Sequence, residues 1–240
     1  MKLAVVFENE NIIAFNKSSG LLSVPDRFNT ALPSLFHEAN KQYGKLWMVH
    51  RLDKETSGII CFAKDEATHR YLSLLFQNRQ VAKFYLALVQ GNPIEPKGTI
   101  RAPIAEHPVQ KGRMCVRQKG KPAHTDYEVL ESWNNFSLVK LQLHTGRTHQ
   151  IRVHLKTIGH PVVADPFYGS GDALMLSSFK RHYHLSKEAE SERPLLSRLA
   201  LHAAQLQFKA EDGTFINIEA PLPKDLNAVV KQLNKWNKAF

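Results

Sequence analysis

The densest run of chemically versatile side chains is His50-Arg51-Leu52-Asp53-Lys54-Glu55-Thr56-Ser57-Gly58, which leads directly into the apolar segment GIICFAK. A carboxylate at the mouth of a buried strand can serve as nucleophile or general base, provided a neighbouring cation keeps it ionised there. Taken alone, Asp53 also reads as a cap or turn residue. A second cluster supplies cations: His144-Thr145-Gly146-Arg147-Thr148-His149-Gln150-Ile151-Arg152-Val153-His154-Leu155. A helix opening at Thr148 places Arg152 about one turn in, with His149 on a neighbouring face. By itself Arg152 reads as a solvated or phosphate-binding arginine. Tyr85, inside KFYLALV, reads as a core tyrosine with its hydroxyl bonded to backbone.

Twelve histidines invite a metal centre, but their spacing does not supply one. There is no HExxH, and His149 and His154 are too badly phased to face one ion from a single helix. His182 and His184 could share a strand face, but they lie in a polar stretch without a third ligand. Gly-rich phosphate loops and GxSxG are absent, as is a cysteine nucleophile with an evident partner. Neither metal nor cofactor is expected.

These clusters are positioned by short apolar elements. LAVVFE and NIIAFNK, around Asn9-Glu10, read as a hairpin, and Ser23-Val24-Pro25-Asp26 as a turn. Ala31 to Tyr43 has helical spacing. GIICFAK reads as a buried strand, followed by a helix over Asp65 to Asn78 with Asp65 as N-cap and Leu72, Leu75 and Phe76 inward. VAKFYLALVQG is a strand ended by Gly91 and Pro93. Pro93 to Lys121 is basic, Pro/Gly-rich and weakly strand-like. HTDYEVLESW and FSLVKLQLH are strands around Asn134-Asn135. Thr148 to Ile158 is ambiguous by periodicity, and Thr148 as cap with Gly159 and Pro161 beyond decides for a helix. Asp172 to Arg198 reads as an exposed polar excursion with some helix. ALHAAQLQFKA and TFINIEA form a hairpin around Asp212-Gly213, and Lys224 to Ala239 a closing helix. The sum is a mixed, largely antiparallel sheet with a few helices.

The 240 residues suit one domain, and 43% apolar with 22% charged residues is a globular composition. With 32 basic against 22 acidic residues the chain carries +10, which suits a polyanion. No apolar run approaches the ~20 residues of a membrane span, and Glu8 and Glu10 interrupt any signal-peptide core. Cys61 and Cys115 form no framework. A cytoplasmic nucleic-acid partner, no membrane and a monomer are the default expectations.

Several segments carry a family resemblance, in order and in register. HRLDKETSG resembles the HRLDxxTSG signature of the RluA family of pseudouridine synthases. GRTHQIRVHL with GHPVVADPFYG is similar to the family's GRxHQIRxHL and GHPIxGDxxYG. KFYLALVQG resembles KxYxAxVxG, VFENENIIAFNKSSGLLSVP the opening strand pair with NKPxGLxVxP, and LALHAAQLQF the closing LxLHAxxLxF. Ser18 stands where the family usually has Pro, and Ala164 where it usually has Gly.

The resemblance implies an α+β pseudouridine synthase fold, a bent mixed sheet with flanking helices and a central catalytic cleft. It implies a single catalytic domain over 1–240, with no S4-like module before it and 172–198 as an excursion within it. The implied activity is isomerisation of uridine to pseudouridine in RNA, redox-neutral and cofactor-free, on a nucleotide flipped into a pocket. Asp53 is then the catalytic carboxylate, attacking C1′ or deprotonating the sugar. Arg152 is the arginine paired with it, and Tyr85 stacks on the flipped base and can move the C5 proton. Arg51, which helps displace the base, is expected with His50, Thr56, Arg147 and His149 among the RNA contacts. Gly20-Leu21-Leu22-Ser23-Val24-Pro25 and GKPAHTDYEVLE look most like the RluA type, whose substrates are a 23S rRNA hairpin and tRNA anticodon stem-loops. The alternatives are a TruC-like tRNA-only synthase, a catalytically silent RNA-binding or ribosome-assembly factor, and a metal-dependent hydrolase.

Overall fold

The structure, a computed structural model, describes residues 2–185 and 190–238. Its strands are β1 (Val5–Glu8), β2 (Ile12–Lys17), β3 (Trp47–Met48), β4 (Ser57–Ala63), β5 (Ala82–Gln90) and β6 (Lys97–Ile100). They continue with β7 (Ile104–Glu106), β8 (Met114–Val116), β9 (Thr125–Ser132), β10 (Phe136–Leu143), β11 (Leu201–Lys209) and β12 (Phe215–Glu219). The helices are α1 (Leu35–Tyr43), α2 (Glu66–Gln77), α3 (Gln150–Thr157) and α4 (Lys224–Trp236). The fold is α+β with mostly antiparallel pairing. Two compact units divide the chain: residues up to Tyr85 with His202–Pro221, and Leu86–Leu201 with Leu222 onward.

In the first unit the strands run β1-β2-β4-β11, with β12 on β11 and β3 on β4. The continuous apolar runs of β2 and β4 have a simple cause: both faces are covered. Ile12, Ala14, Ile59, Cys61 and Ala63 pack on one side with Leu72 and Leu75 of α2. Ile13, Phe15, Ile60 and Phe62 pack on the other with Leu35 and Ala39 of α1, and Leu52 and Tyr85 join this second cluster. Both helices have N-caps, α2 at the expected Asp65 and α1 at Ser34, so that α1 begins later than the expected Ala31. Asp65 Oδ1 accepts from Thr68 N at 2.8 Å, whereas Ser34, behind Pro33, delays α1 to Leu35. β4 meets β11 in parallel at Ser57↔His202 and Ala203↔Gly58. Gly58 has φ 117, and a Cβ there would lie 2.2 Å from Ala203 O, so this crossing admits only glycine.

In the second unit the later half of β5 begins the order β5-β10-β9-β6, and β7 and β8 form a separate ribbon. α3 begins two residues later than its sequence suggests. Thr148 is exposed and does not cap; His149 takes the N-cap position in the left-handed region (φ 54), with no side-chain cap bond. The Gln150 side chain instead braces the turn before the helix, its Oε1 accepting from Arg147 N at 3.0 Å. The described part of 172–198 contains turns and a Leu174↔Leu196 bridge but no helix. Buried Leu174, Phe179 and Leu196 anchor it, so apolar anchors rather than helical hydrogen bonds order this polar stretch. His182 sits in a turn at φ 55, not on a strand shared with His184. Residue 239, the expected end of the last helix, lies outside the described residues.

Candidate active site

The loop carrying Asp53 is held by its carbonyls. Ser23 Oγ donates to Leu52 O at 2.6 Å and accepts from Leu52 N at 3.1 Å. Lys54 O receives Gly20 N and Lys17 Nζ, both at 2.9 Å, and Glu55 O receives Ser19 Oγ at 2.6 Å. Thr56 N closes the turn onto Asp53 O at 3.1 Å. Lys17 is 1% exposed, and its ammonium also donates to Ser18 O and Leu21 O. A buried lysine is costly unless its three donors are used; here the bonds clamp the turn after β2 to the Asp53 loop. The carboxylate side chain itself is half-buried.

His50 fastens the other end. Its Nε2 accepts from Cys61 N at 3.0 Å, and its ring stacks on Phe76 at 4.7 Å. Burial, and then the charge of Lys83, push its pKa down to about 3. The ring is therefore neutral at physiological pH, as an acceptor must be. Arg51 is exposed, while Thr56 is buried at a turn-closing position. Ser57 Oγ lies 3.0 Å from His202 Nδ1, tying the base of the loop to β11. Burial raises the Cys61 thiol to about 12, which leaves no thiolate for nucleophilic chemistry.

Tyr85 packs beside Leu52 in the α1-side cluster. Burial raises its phenol pKa, and the charge of Asp53 adds to the rise. Asp53 and Tyr85 thus sit within electrostatic reach of each other in one unit, and Tyr85 keeps its proton at neutral pH.

Arg147, His149 and Arg152 belong to the second unit. Arg152 is 3% exposed, and its Nε and Nη2 donate to the two oxygens of fully buried Asp165, each at 2.7 Å. Asp165 Oδ1 also accepts from Phe167 N and Tyr168 N, and the guanidinium lies 5.0 Å from the Tyr168 ring centre. The GHPVVADPFYG segment is therefore the mount of Arg152. Tyr168 Oη in turn meets His149 Nδ1 at 2.8 Å and accepts from Met114 N. Arg147 Nε donates to Pro122 O at 3.1 Å. A buried chain of polar groups backs α3. Gln150 Nε2 donates to Thr125 Oγ1, which meets His154 Nδ1, and His154 Nε2 lies 3.0 Å from Ala102 O. Burial lowers the His154 pKa, so this histidine is a neutral structural group.

Ala164, before Asp165, has φ 56, a conformation costing an L-residue roughly 1–2 kcal/mol. This accounts for the glycine usual at that point of the motif. Ala164→Gly is expected to raise Tm by about 2–4 °C in thermal unfolding followed by circular dichroism. An unchanged or lower Tm would mean the side chain's packing outweighs the strain.

Among the described residues, one group has a metal-like donor set: His124, Asp126 and His144, whose ligand atoms lie within 4.8 Å of one another. Asp126 already meets both imidazoles, at 3.0 and 2.6 Å, and Thr99 Oγ1 at 2.7 Å. The β9–β10 hairpin brings these residues together, which spacing in sequence does not disclose. Ser23, Lys17, Gln150, Asp165 and Tyr168 also go unseen as positioning residues, although each lies inside a quoted motif.

The RNA pseudouridylate synthase profile matches residues 11–157. The chain belongs to this family. It is 39% identical over 239 residues to ribosomal large subunit pseudouridine synthase D of Nitrosomonas europaea, covering 96% of this chain and 65% of that relative. The chain thus spans just under two thirds of that relative's length. It is likewise 39% identical over 177 residues to the dual-specificity RNA pseudouridine synthase RluA of Salmonella typhi, covering 73% of this chain and 81% of the relative. Human RNA pseudouridylate synthase domain containing 1 superposes with a TM-score of 0.71 at 27% identity, over 100% of this chain and 97% of that one. Among the described residues no helix is long and apolar enough to cross a membrane.

Proposed function

We propose that the chain isomerises uridine to pseudouridine in structured RNA, with Asp53 as the catalytic carboxylate. The observation that carries this reading is the pairing, in one unit, of a half-buried Asp53 on a clamped loop with the protonated phenol of Tyr85. The reaction breaks the C1′–N1 bond and forms C1′–C5. The C5 hydrogen leaves and N1 ends protonated, so atoms balance without an added group. An ionised carboxylate serves the first step as nucleophile at C1′ or as base on the sugar. A neutral phenol can stack on the displaced uracil and hydrogen-bond to it. Removing the uridine from its stack costs a few kcal/mol, least in loops, and a +10 chain helps hold the flanking phosphates. Arg152, carried over from the family motif, is the third functional residue, and the Asp165 mount fixes its orientation. Arg51, Arg147 and His149 are RNA contacts in this reading, while His50 and Thr56 act by holding the loop.

The RluA-like segments, and a relative named as dual-specificity, favour a 23S rRNA hairpin and tRNA anticodon stem-loops as substrates. The test is incubation of the chain with 23S rRNA fragments and tRNA transcripts, followed by carbodiimide-blocked primer extension. Stops in both RNAs are expected. Stops in one alone would narrow the substrate to that RNA, and none in either, with binding intact, would leave an RNA-binding factor without chemistry. Tyr85→Phe keeps the stacking surface and loses the hydroxyl. It is expected to lower kcat by about a hundredfold with RNA affinity unchanged; an unaltered kcat would limit Tyr85 to stacking.

A further inference from the structure

The second unit carries a groove of about 720 Å³ at the tip of the β9–β10 hairpin and the end of α4. Most of its lining lies beyond residue 157, where the family match ends. It is firmly built. Trp133, buried, donates its Nε1 to Asn234 Oδ1 at 2.8 Å; Trp133 and Lys238 form a β-bridge, and Asn134 N donates to Asn237 O. Phe179, set edge-on to Phe136, and Trp236, 40% exposed, give it aromatic walls. Lys180 and Lys235 place their ammonium groups 4.6 and 4.8 Å from the Trp236 ring centre. Arg181 and Lys238 extend the positive rim, and no carboxylate is among its described lining residues.

Aromatic surface and a cationic rim together fit a nucleotide: a π-face to stack and phosphates to neutralise.

We propose that this groove binds a single-stranded nucleotide of the RNA, other than the uridine that reacts. The base stacks on Trp236, while Arg181, Lys235 and Lys238 take the neighbouring phosphates. The turn supplying Phe179 and Arg181 lies in the 172–198 excursion, which thereby gains a role in choosing RNA. The inference rests on the reading of the chain as an enzyme of RNA.

The test is fluorescence anisotropy of a labelled, unstructured RNA oligonucleotide of mixed A, C and U sequence, titrated with the full chain at several salt concentrations. Trp236→Ala is expected to weaken binding about tenfold, and Trp236→Phe much less. The exposed pair Arg181→Glu with Lys235→Glu, which leaves the ring in place, should weaken it at least as much and reduce the salt slope by about two phosphate contacts. Wild-type binding with undiminished affinity in both the Trp236→Ala and the paired variants would overturn the groove while sparing the RNA reading. No binding of any RNA by the wild-type chain would remove both.

Discussion

Replacing Asp53 by asparagine is expected to abolish pseudouridine formation, a loss of about 10⁴-fold or more, while RNA affinity stays within about threefold. Asparagine keeps the shape of the side chain and removes its charge. The loop's backbone conformation rests on Ser23, Lys17, Gly20, Ser19 and Thr56, whose bonds go to main-chain atoms of the loop. Substitution at the carboxylate therefore leaves those clamps intact. Loss of a negative charge also reduces repulsion toward a polyanion, so binding has no electrostatic reason to weaken. Parallel single-turnover kinetics and RNA titration check the split. If affinity falls as far as rate does, Asp53 organises the RNA site rather than the reaction.

The second large effect is on stability. Asp165→Ala is expected to lower the unfolding free energy by about 3–5 kcal/mol, because it removes the carboxylate that accepts two bonds from a buried guanidinium. It also strips Phe167 N and Tyr168 N of their acceptor. A domain of ordinary stability holds only about 5–15 kcal/mol in reserve. Asp165→Asn keeps one acceptor oxygen and the side-chain volume, and is expected to cost less than the alanine change. Urea denaturation of both variants makes the comparison. A loss under about 1 kcal/mol for Asp165→Ala would mean that Arg152 is mounted by other contacts.

The strands and hairpins were legible because their causes are local. Asn9-Glu10, Asn134-Asn135 and Asp212-Gly213 each sit at the reversal of an antiparallel pair. GIICFAK showed no alternation because helices α1 and α2 cover both faces of β4, and that too could be read as a buried strand. α3 is misleading at its start because a cap assignment by residue type favours Thr148, whereas a left-handed His149 holds the N-cap position with no side-chain cap bond. Helix was expected in 172–198 from its polar composition, but the apolar anchors Leu174, Phe179 and Leu196 decide its course. Most hidden were the partnerships. Asp53, Tyr85 and Arg152 could be singled out by motif, yet nothing local says that Lys17 grips Lys54 O across 37 residues. Nor does it say that Asp165 grips Arg152 across 13. A motif preserves residue types; the hydrogen bonds that give them their purpose exist only once the chain is folded.

Formation of pseudouridine through Asp53 is read out most directly by tritium release. RNA transcribed with uridine labelled with tritium at C5 loses that label to water only when C5 bonds to C1′. For the wild-type chain, release that rises with time to a plateau set by the modified sites is expected, and for Asp53→Asn none above background. No release by the wild-type chain from RNA it binds, or equal release by the variant, would contradict it.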